Sequence, residues 1–148
     1  MFAKFKQQGY PASFAPLLMA GLALVLATGL ALVPLLLVFQ WEWWDFPWKP
    51  SGLTRIVLTA SHVVSGFLVL ALIGAVWTVH ARAGWLRQER NISGTGLLLA
   101  VGLLTVSAPL LLYVSHEDSL TWIATVHAAV GGLLPLILLG HALRRRKR

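Results

Sequence analysis

Four long apolar stretches alternate with short polar segments along the chain. Charged side chains lie almost entirely between these stretches or at the chain ends, and the stretches cover residues 14–39, 56–81, 92–115 and 119–143. Because a helix needs about 20 apolar residues to cross about 30 Å of hydrocarbon, each stretch is long enough to span a bilayer with some tilt. The pattern predicts an all-α membrane protein, a four-transmembrane-helix bundle in which residues 1–148 form a single membrane domain.

Two features bear on where these helices end. Pro34, Pro109 and Pro135 lie inside apolar runs. A spanning backbone must satisfy its own hydrogen bonds within the hydrocarbon, so we expect kinks there rather than helix ends. The first stretch follows Lys4 and Lys6 as a signal peptide would, but its apolar run is about twice the usual length of such a signal's core. We expect it to be a permanent helix.

Composition favours the same class of protein. Of the 148 residues, 57% are hydrophobic and 11% are charged, whereas a soluble domain usually has about 25% charged residues. The chain has no cysteine, which excludes disulfides, iron–sulfur clusters, thiolate zinc sites and the covalent attachment of a c-type haem. Any cofactor must therefore be held without sulfur, and the five histidines are the candidate ligands.

The charges divide unevenly between the two sides of the predicted bundle. The formal net charge of +7 splits into +9 on the side of both chain ends and −2 on the other side. Since positive residues accumulate on the cytoplasmic side, we expect the N and C termini to be cytoplasmic. The basic cluster at 144–148 directly follows an apolar span, which is typical of anchoring on anionic lipid. We therefore expect contact with the lipid membrane and no nucleic-acid binding.

The predicted outer loop at 41–48 holds four of the seven tryptophans. Tryptophan is enriched at membrane interfaces, where its ring lies at the level of the headgroups. The loop is either part of such an aromatic belt or a docking surface for a partner.

Four of the five histidines lie in the second and fourth spans, where ionisable side chains are costly and usually face the bundle interior. His62 and His80 are 18 residues apart, and His127 and His141 are 14 apart, so each helix carries a histidine stripe. Both spans cross in the same direction. Counting from their outer ends pairs His62 with His127 near the outer leaflet, and His80 with His141 near the cytoplasmic surface. Two facing imidazoles are the protein ligands of a six-coordinate haem iron, whereas zinc would require further donors.

Small and basic residues accompany the histidines. Gly66 and Gly131 follow His62 and His127 by four residues, and a glycine one turn along the same face would leave room for a porphyrin edge. Alternatively, these glycines simply allow close approach of helices. Arg55, seven residues before His62, is a candidate partner for a haem propionate.

On these residues the sequence resembles the di-haem b-type membrane cytochromes. The likeness is to the four-helix haem-binding half of the cytochrome b of quinol:cytochrome c reductases. It is looser to the formate dehydrogenase gamma subunit and the hydrogenase cytochrome b subunit. The resemblance implies two haem b groups, one held by His62 and His127 and the other by His80 and His141. It also implies exchange of electrons with a quinone and with other redox subunits of a membrane complex.

The sequence departs from the reductase pattern in one respect. In that family both helices keep a four-turn interval, whereas here the second span has one extra turn, which would place His80 about 6 Å deeper than His141. Helix tilt, a π-bulge near Gly74 or a tilted inner haem would absorb this difference. The other possibility is an incomplete inner site.

His116, Glu117 and Asp118 lie in the predicted turn before the fourth span. They are either solvated loop residues or proton acceptors for a quinol oxidised at the outer surface, because imidazole and carboxylates titrate in the useful range.

We therefore predict a di-haem cytochrome b, multi-pass in the bacterial inner membrane, that transfers electrons between a quinone pool and a partner subunit. We assign no catalytic residue to it. The residues leave two other hypotheses open. One is a non-redox membrane anchor whose histidines are satisfied polar groups, and the other is a proton or metal-ion permease that uses the histidines as a relay.

Overall fold

The fold is a bundle of four long helices. The computed structural model describes residues 9–42, 46–78, 82 and 92–144. The helices are α1 (Phe14–Phe39), α2 (Gly52–Val76), α3 (Ile92–Tyr113) and α4 (Glu117–Arg144). Within these described ranges no residue is in a strand. The predicted all-α, four-helix architecture is confirmed, while the cytoplasmic location of both termini stays a prediction.

Each of the four helices is long and apolar enough to cross a membrane. Large apolar side chains are exposed on every one of them, among them Leu24, Phe67, Leu99 and Leu136. In a soluble protein such surfaces would be aggregation sites, but in a bilayer they contact lipid chains. The chain is therefore a multi-pass membrane protein in a lipid environment.

The helix bounds follow the apolar pattern with shifts at the polar ends. α1 has the bounds that the pattern predicts. α2 begins at Gly52 rather than at residue 56, because one exposed turn that includes Arg55 continues the helix beyond the apolar run. α4 begins at Glu117, and its first turn holds Glu117 and Asp118, where carboxylates interact favourably with the helix dipole.

The backbone after α2 widens to a π-helical turn at Trp77 and Thr78. This turn lies three residues beyond Gly74, the position near which a π-bulge was one of the expected ways to absorb the extra turn. Residues 79–81, including His80, lie outside the described part of the chain. As expected, Pro34, Pro109 and Pro135 lie within helices and do not end them.

Helices α1 and α2 pack together in opposite directions. A Cβ built on Gly21 in α1 would lie 2.9 Å from Val69 Cγ2 in α2, so a glycine is needed for this close approach. At the end of α2, the Tyr10 hydroxyl donates a hydrogen bond of 3.0 Å to the Ala75 carbonyl. Small residues at such contacts are typical of membrane helices, whose association depends on close packing.

Helix α4 contacts both α3 and α1. It meets α1 where α1 ends and α4 begins: the Trp41 Nε1–H donates to Thr125 Oγ1 at 2.8 Å, and Thr121 Oγ1 donates to Gln40 Oε1 at 2.6 Å. The Trp41 and Trp122 rings pack edge to face, with centroids 5.4 Å apart. Since α1 runs opposite to both neighbours, α2 and α4 run in the same direction.

Candidate cofactor site between helices α2 and α4

The structure brings His62 of α2 and His127 of α4 together in the interior of the bundle. Each lies ten residues after the first residue of its helix, which puts the two side chains at the same level of parallel helices. Their ring centroids are 6.2 Å apart, and the ring planes are inclined by 77°. Both histidines are half-buried. The level pair that counting along the sequence predicts is therefore present as a juxtaposition.

Helix α1 holds the His62 ring through Nδ1. This nitrogen lies 3.0 Å from the Val25 carbonyl oxygen and 3.2 Å from Thr28 Oγ1. A carbonyl oxygen can only accept, so Nδ1 of His62 must carry the hydrogen. The Thr28 hydroxyl donates its own hydrogen to the Leu24 carbonyl at 2.7 Å, which leaves its oxygen as an acceptor for the same Nδ1–H. In the neutral imidazole, Nε2 is then an unprotonated base.

Gly29 provides the space that the His62 ring occupies. A Cβ built at this position would lie 2.9 Å from His62 Cε1 and 3.4 Å from His62 Nδ1. Ordinary contacts between carbon atoms are about 3.5–4.0 Å. The ring therefore packs directly against the α1 backbone, and a side chain at position 29 would displace it.

Helix α3 holds the His127 ring in a similar way. Ser107 Oγ lies 2.7 Å from His127 Nδ1 and donates its hydrogen to the Leu103 carbonyl, also at 2.7 Å. Ser107 is 7% exposed, close to the 6% of Thr28. Each imidazole of the pair is thus hydrogen-bonded to a buried hydroxyl of a neighbouring helix, in α1 for His62 and in α3 for His127.

Both imidazoles contact the protein through Nδ1, which leaves Nε2 as the ring nitrogen available to bind a metal. All the hydrogen bonds that His62 and His127 form within the described part of the structure go through Nδ1. Metal-binding histidines commonly have this arrangement, in which one ring nitrogen bonds to the protein and the other binds the metal. Among the residues that the structure describes, no third histidine, cysteine, aspartate or glutamate joins the pair.

A second histidine of α4 makes an equivalent contact near the other end of the bundle. Ser93 Oγ of α3 lies 3.1 Å from His141 Nδ1 of α4. His80, the expected partner of His141, lies outside the part of the chain that the structure describes. The pairing of His80 with His141, and the effect of the 18-residue interval, therefore stay predictions.

The remaining predicted site residues lie nearby. A Cβ on Gly66 would lie 4.0 Å from Val25 Cγ2 of α1, and one on Gly131 would lie 3.8 Å from Leu104 Cδ2 of α3. Gly66 of α2 therefore lies next to α1, and Gly131 of α4 lies next to α3. Their role beside a porphyrin edge stays a prediction. Arg55 is exposed in the first turn of α2, and its role as a propionate partner also stays a prediction.

An open hollow of about 270 Å³ lies where α1 ends and α4 begins, lined by Gln40, Trp41, Glu117, Asp118, Thr121 and Trp122. His116 is exposed beside it, with Ser119 Oγ 3.4 Å from its Nδ1. Of the three candidate proton acceptors, the two carboxylates line this hollow and His116 does not. Residues 43–45 of the tryptophan segment lie outside the described ranges, and Trp48 is exposed.

Sequence reasoning missed four residues that fix the histidines: Thr28, Gly29, Ser93 and Ser107. A signal exists for Thr28, Ser93 and Ser107, since hydroxyl groups within membrane spans usually face other helices. The signal could not say which histidine each hydroxyl meets, because that depends on how the helices are rotated and aligned.

Comparisons of the chain with protein-family profiles, with curated proteins and with solved structures found no match. The function must therefore be inferred from the residues and their geometry.

Proposed function

We propose that this protein is a b-type di-haem cytochrome of the bacterial inner membrane, which transfers electrons between a quinone pool and a partner redox subunit. The observation that carries the proposal is the pair His62 and His127. These two imidazoles face each other between parallel transmembrane helices, and each is anchored through Nδ1.

The donor set suits a haem iron. Two imidazoles that bind one metal ion from opposite sides, each at about 2 Å, have ring centroids roughly 6 Å apart. The separation of 6.2 Å between His62 and His127 agrees with this value. Anchoring through Nδ1 leaves Nε2 of His62 as the ligand atom that haem proteins use.

The number of ligands favours haem over zinc. A structural zinc site has four protein ligands and a catalytic site has three. Within the described ranges the pair has no third metal-binding side chain. A porphyrin brings four nitrogen ligands of its own, so two histidines are sufficient for a six-coordinate iron.

When bound, haem b supplies a one-electron redox couple. The residues of this chain would hold and orient it: His62 and His127 would be its protein ligands, with Thr28 and Ser107 fixing their rings. Arg55, at the start of α2, lies about 10 Å along the helix axis from His62 and would be a candidate partner for a propionate.

The two levels of histidine in α4 suit electron transfer through the bilayer. His127 and His141 are 14 residues apart, which is about 21 Å of helix, against about 30 Å of hydrocarbon. Haem groups at these two levels, with His80 as the fourth ligand, would connect the leaflets. The resemblance to cytochrome b further implies that a quinone of the membrane exchanges electrons with the haem groups on one side. Further redox subunits of a complex would be the other electron-transfer partner.

The direct test is the haem content of the purified protein. We expect a Soret band and a ratio of about two haem groups per chain, counted after expression with sufficient haem supply. His62→Ala and His127→Ala should each remove one haem, because each leaves the outer iron with a single protein ligand. His116→Ala is the matched control, since it removes a histidine from the exposed turn, and it should keep both haem groups.

Three results would contradict the proposal. A correctly inserted but colourless wild-type protein would favour the membrane anchor. Metal-dependent or proton-dependent flux into vesicles that contain the colourless protein would favour the permease. Equal loss of haem from His62→Ala and His116→Ala would exclude specific ligation by the central pair.

A further inference from the structure

Helix α3 carries two serines that meet the two histidines of α4. Ser107 Oγ lies 2.7 Å from His127 Nδ1, and Ser93 Oγ lies 3.1 Å from His141 Nδ1. The serines are 14 residues apart, as are the histidines. Since α3 and α4 are antiparallel, the same alignment of the two helices produces both contacts.

The direction of the Ser107 hydrogen bond decides what it does to His127. The hydroxyl has one hydrogen, for which the Leu103 carbonyl at 2.7 Å is the acceptor within its own helix. A carbonyl cannot donate, so the lone pairs of Ser107 Oγ are left for a hydrogen from His127 Nδ1. The contact thus favours the tautomer in which Nδ1 is protonated and Nε2 is the free base.

We propose that Ser107 is the positioning residue of the outer haem site, which fixes the tautomer of His127 and lowers the reduction potential of the haem. The inference rests on the proposed function. A ligand histidine that donates from Nδ1 is a stronger base at Nε2. A stronger base stabilises the oxidised form of the iron more than the reduced form.

Ser107 is also the position at which this bond can be altered. On the other side of the pair, His62 Nδ1 bonds to the Val25 backbone carbonyl, which no side-chain substitution removes. Within the described part of the chain, in contrast, the hydrogen bond of the His127 ring depends on one hydroxyl, that of Ser107. Substitutions at Ser107 therefore test the hydrogen bond of His127, while His62 keeps its own hydrogen bond to the Val25 carbonyl.

The test is a potentiometric titration of the haem-loaded protein, followed by its visible and electron paramagnetic resonance spectra. In Ser107→Ala we expect one haem to become easier to reduce, with the ratio of reduced to oxidised haem at a fixed ambient potential rising about three- to tenfold. A tenfold change corresponds to about 59 mV for one electron. Ser107→Thr keeps a hydroxyl and should retain the wild-type potential.

The matched control is Ser65→Ala. Ser65 is a buried serine of α2, 3% exposed, whose hydroxyl, among the described residues, bonds to the Ser61 and His62 carbonyls of its own helix. It should leave both potentials unchanged. Unchanged potentials in haem-loaded Ser107→Ala, or an equal shift in Ser65→Ala, would overturn the inference.

Two further outcomes are also decisive. If Ser107→Ala loses the outer haem, Ser107→Thr decides: retention of haem at the wild-type potential supports the role of the hydroxyl, and loss in this variant overturns it. A wild-type protein without haem would instead refute the proposed function, so the two failures are distinguishable.

Discussion

The substitution Gly29→Ala tests the site from the α1 side. The added Cβ would lie 2.9 Å from His62 Cε1, whereas carbon atoms in contact are ordinarily about 3.5–4.0 Å apart. The ring would therefore have to move by at least about 0.6 Å. Because the ring is held by the Val25 carbonyl at 3.0 Å and by Thr28 at 3.2 Å, this movement would lengthen both hydrogen bonds.

The size of the effect can be estimated in two ways. Adding a methyl group to a packed interior costs about 1–3 kcal/mol. Disturbing the hydrogen-bond partner of a metal-binding histidine lowers metal affinity about 10- to 100-fold, which is about 1.4–2.8 kcal/mol. The two ranges overlap, so we expect Gly29→Ala to weaken binding of the outer haem by roughly tenfold or more.

The assay is transfer of haem from the purified protein to an excess of a soluble haem acceptor, followed by the Soret band. The matched control is Gly102→Ala in α3, because a Cβ on Gly102 has no atom within 4 Å in the described structure. It should lose haem at the wild-type rate. If Gly29→Ala keeps the outer haem as tightly as the wild type, or if Gly102→Ala weakens it equally, the packing of His62 against α1 does not matter for ligation.

Two further substitutions test contacts that join the helices, by thermal unfolding in detergent followed by circular dichroism. Tyr10→Phe removes the hydroxyl that donates to the Ala75 carbonyl and should cost about 1 kcal/mol. Burial raises the pKa of Tyr10, so the contribution of the neutral phenol should be complete below about pH 10 and lost at higher pH. This alkaline decline should be smaller in Tyr10→Phe, and an identical decline would contradict the assignment. Trp41→Phe loses the bond to Thr125 and should cost about 0.5–1.5 kcal/mol. The exposed Trp48→Phe should cost nothing measurable, and equal losses would exclude a specific role for the Trp41 bond.

The four helices could be predicted from the sequence because membrane insertion depends on local length and composition. The bounds of α1 agree with the prediction, and the proline-containing runs continue as helices. The start of α2 could not be predicted from the apolar run, since the exposed turn around Arg55 is helical without being apolar. Hydrophobicity marks the part of a helix within lipid, and the helix itself continues until its backbone hydrogen bonds end.

The meeting of His62 with His127 was also accessible from the sequence. Helices that cross a bilayer in the same direction place residues at equal distances from their ends at equal depths. Intramembrane histidines usually turn toward the bundle interior. These two constraints leave few partners for each histidine, and the ring separation of 6.2 Å agrees with the level pairing.

Only the tertiary structure decided how the histidines are held. The contacts of Thr28 and Gly29 with His62, and of Ser107 with His127, join residues that are 20 or more positions apart. Such contacts depend on the rotation of each helix about its axis and on its alignment with its neighbour. In lipid, apolar faces differ little in energy between orientations, so the apolar pattern does not fix these two variables. Close packing of small residues and a few buried hydrogen bonds fix them instead.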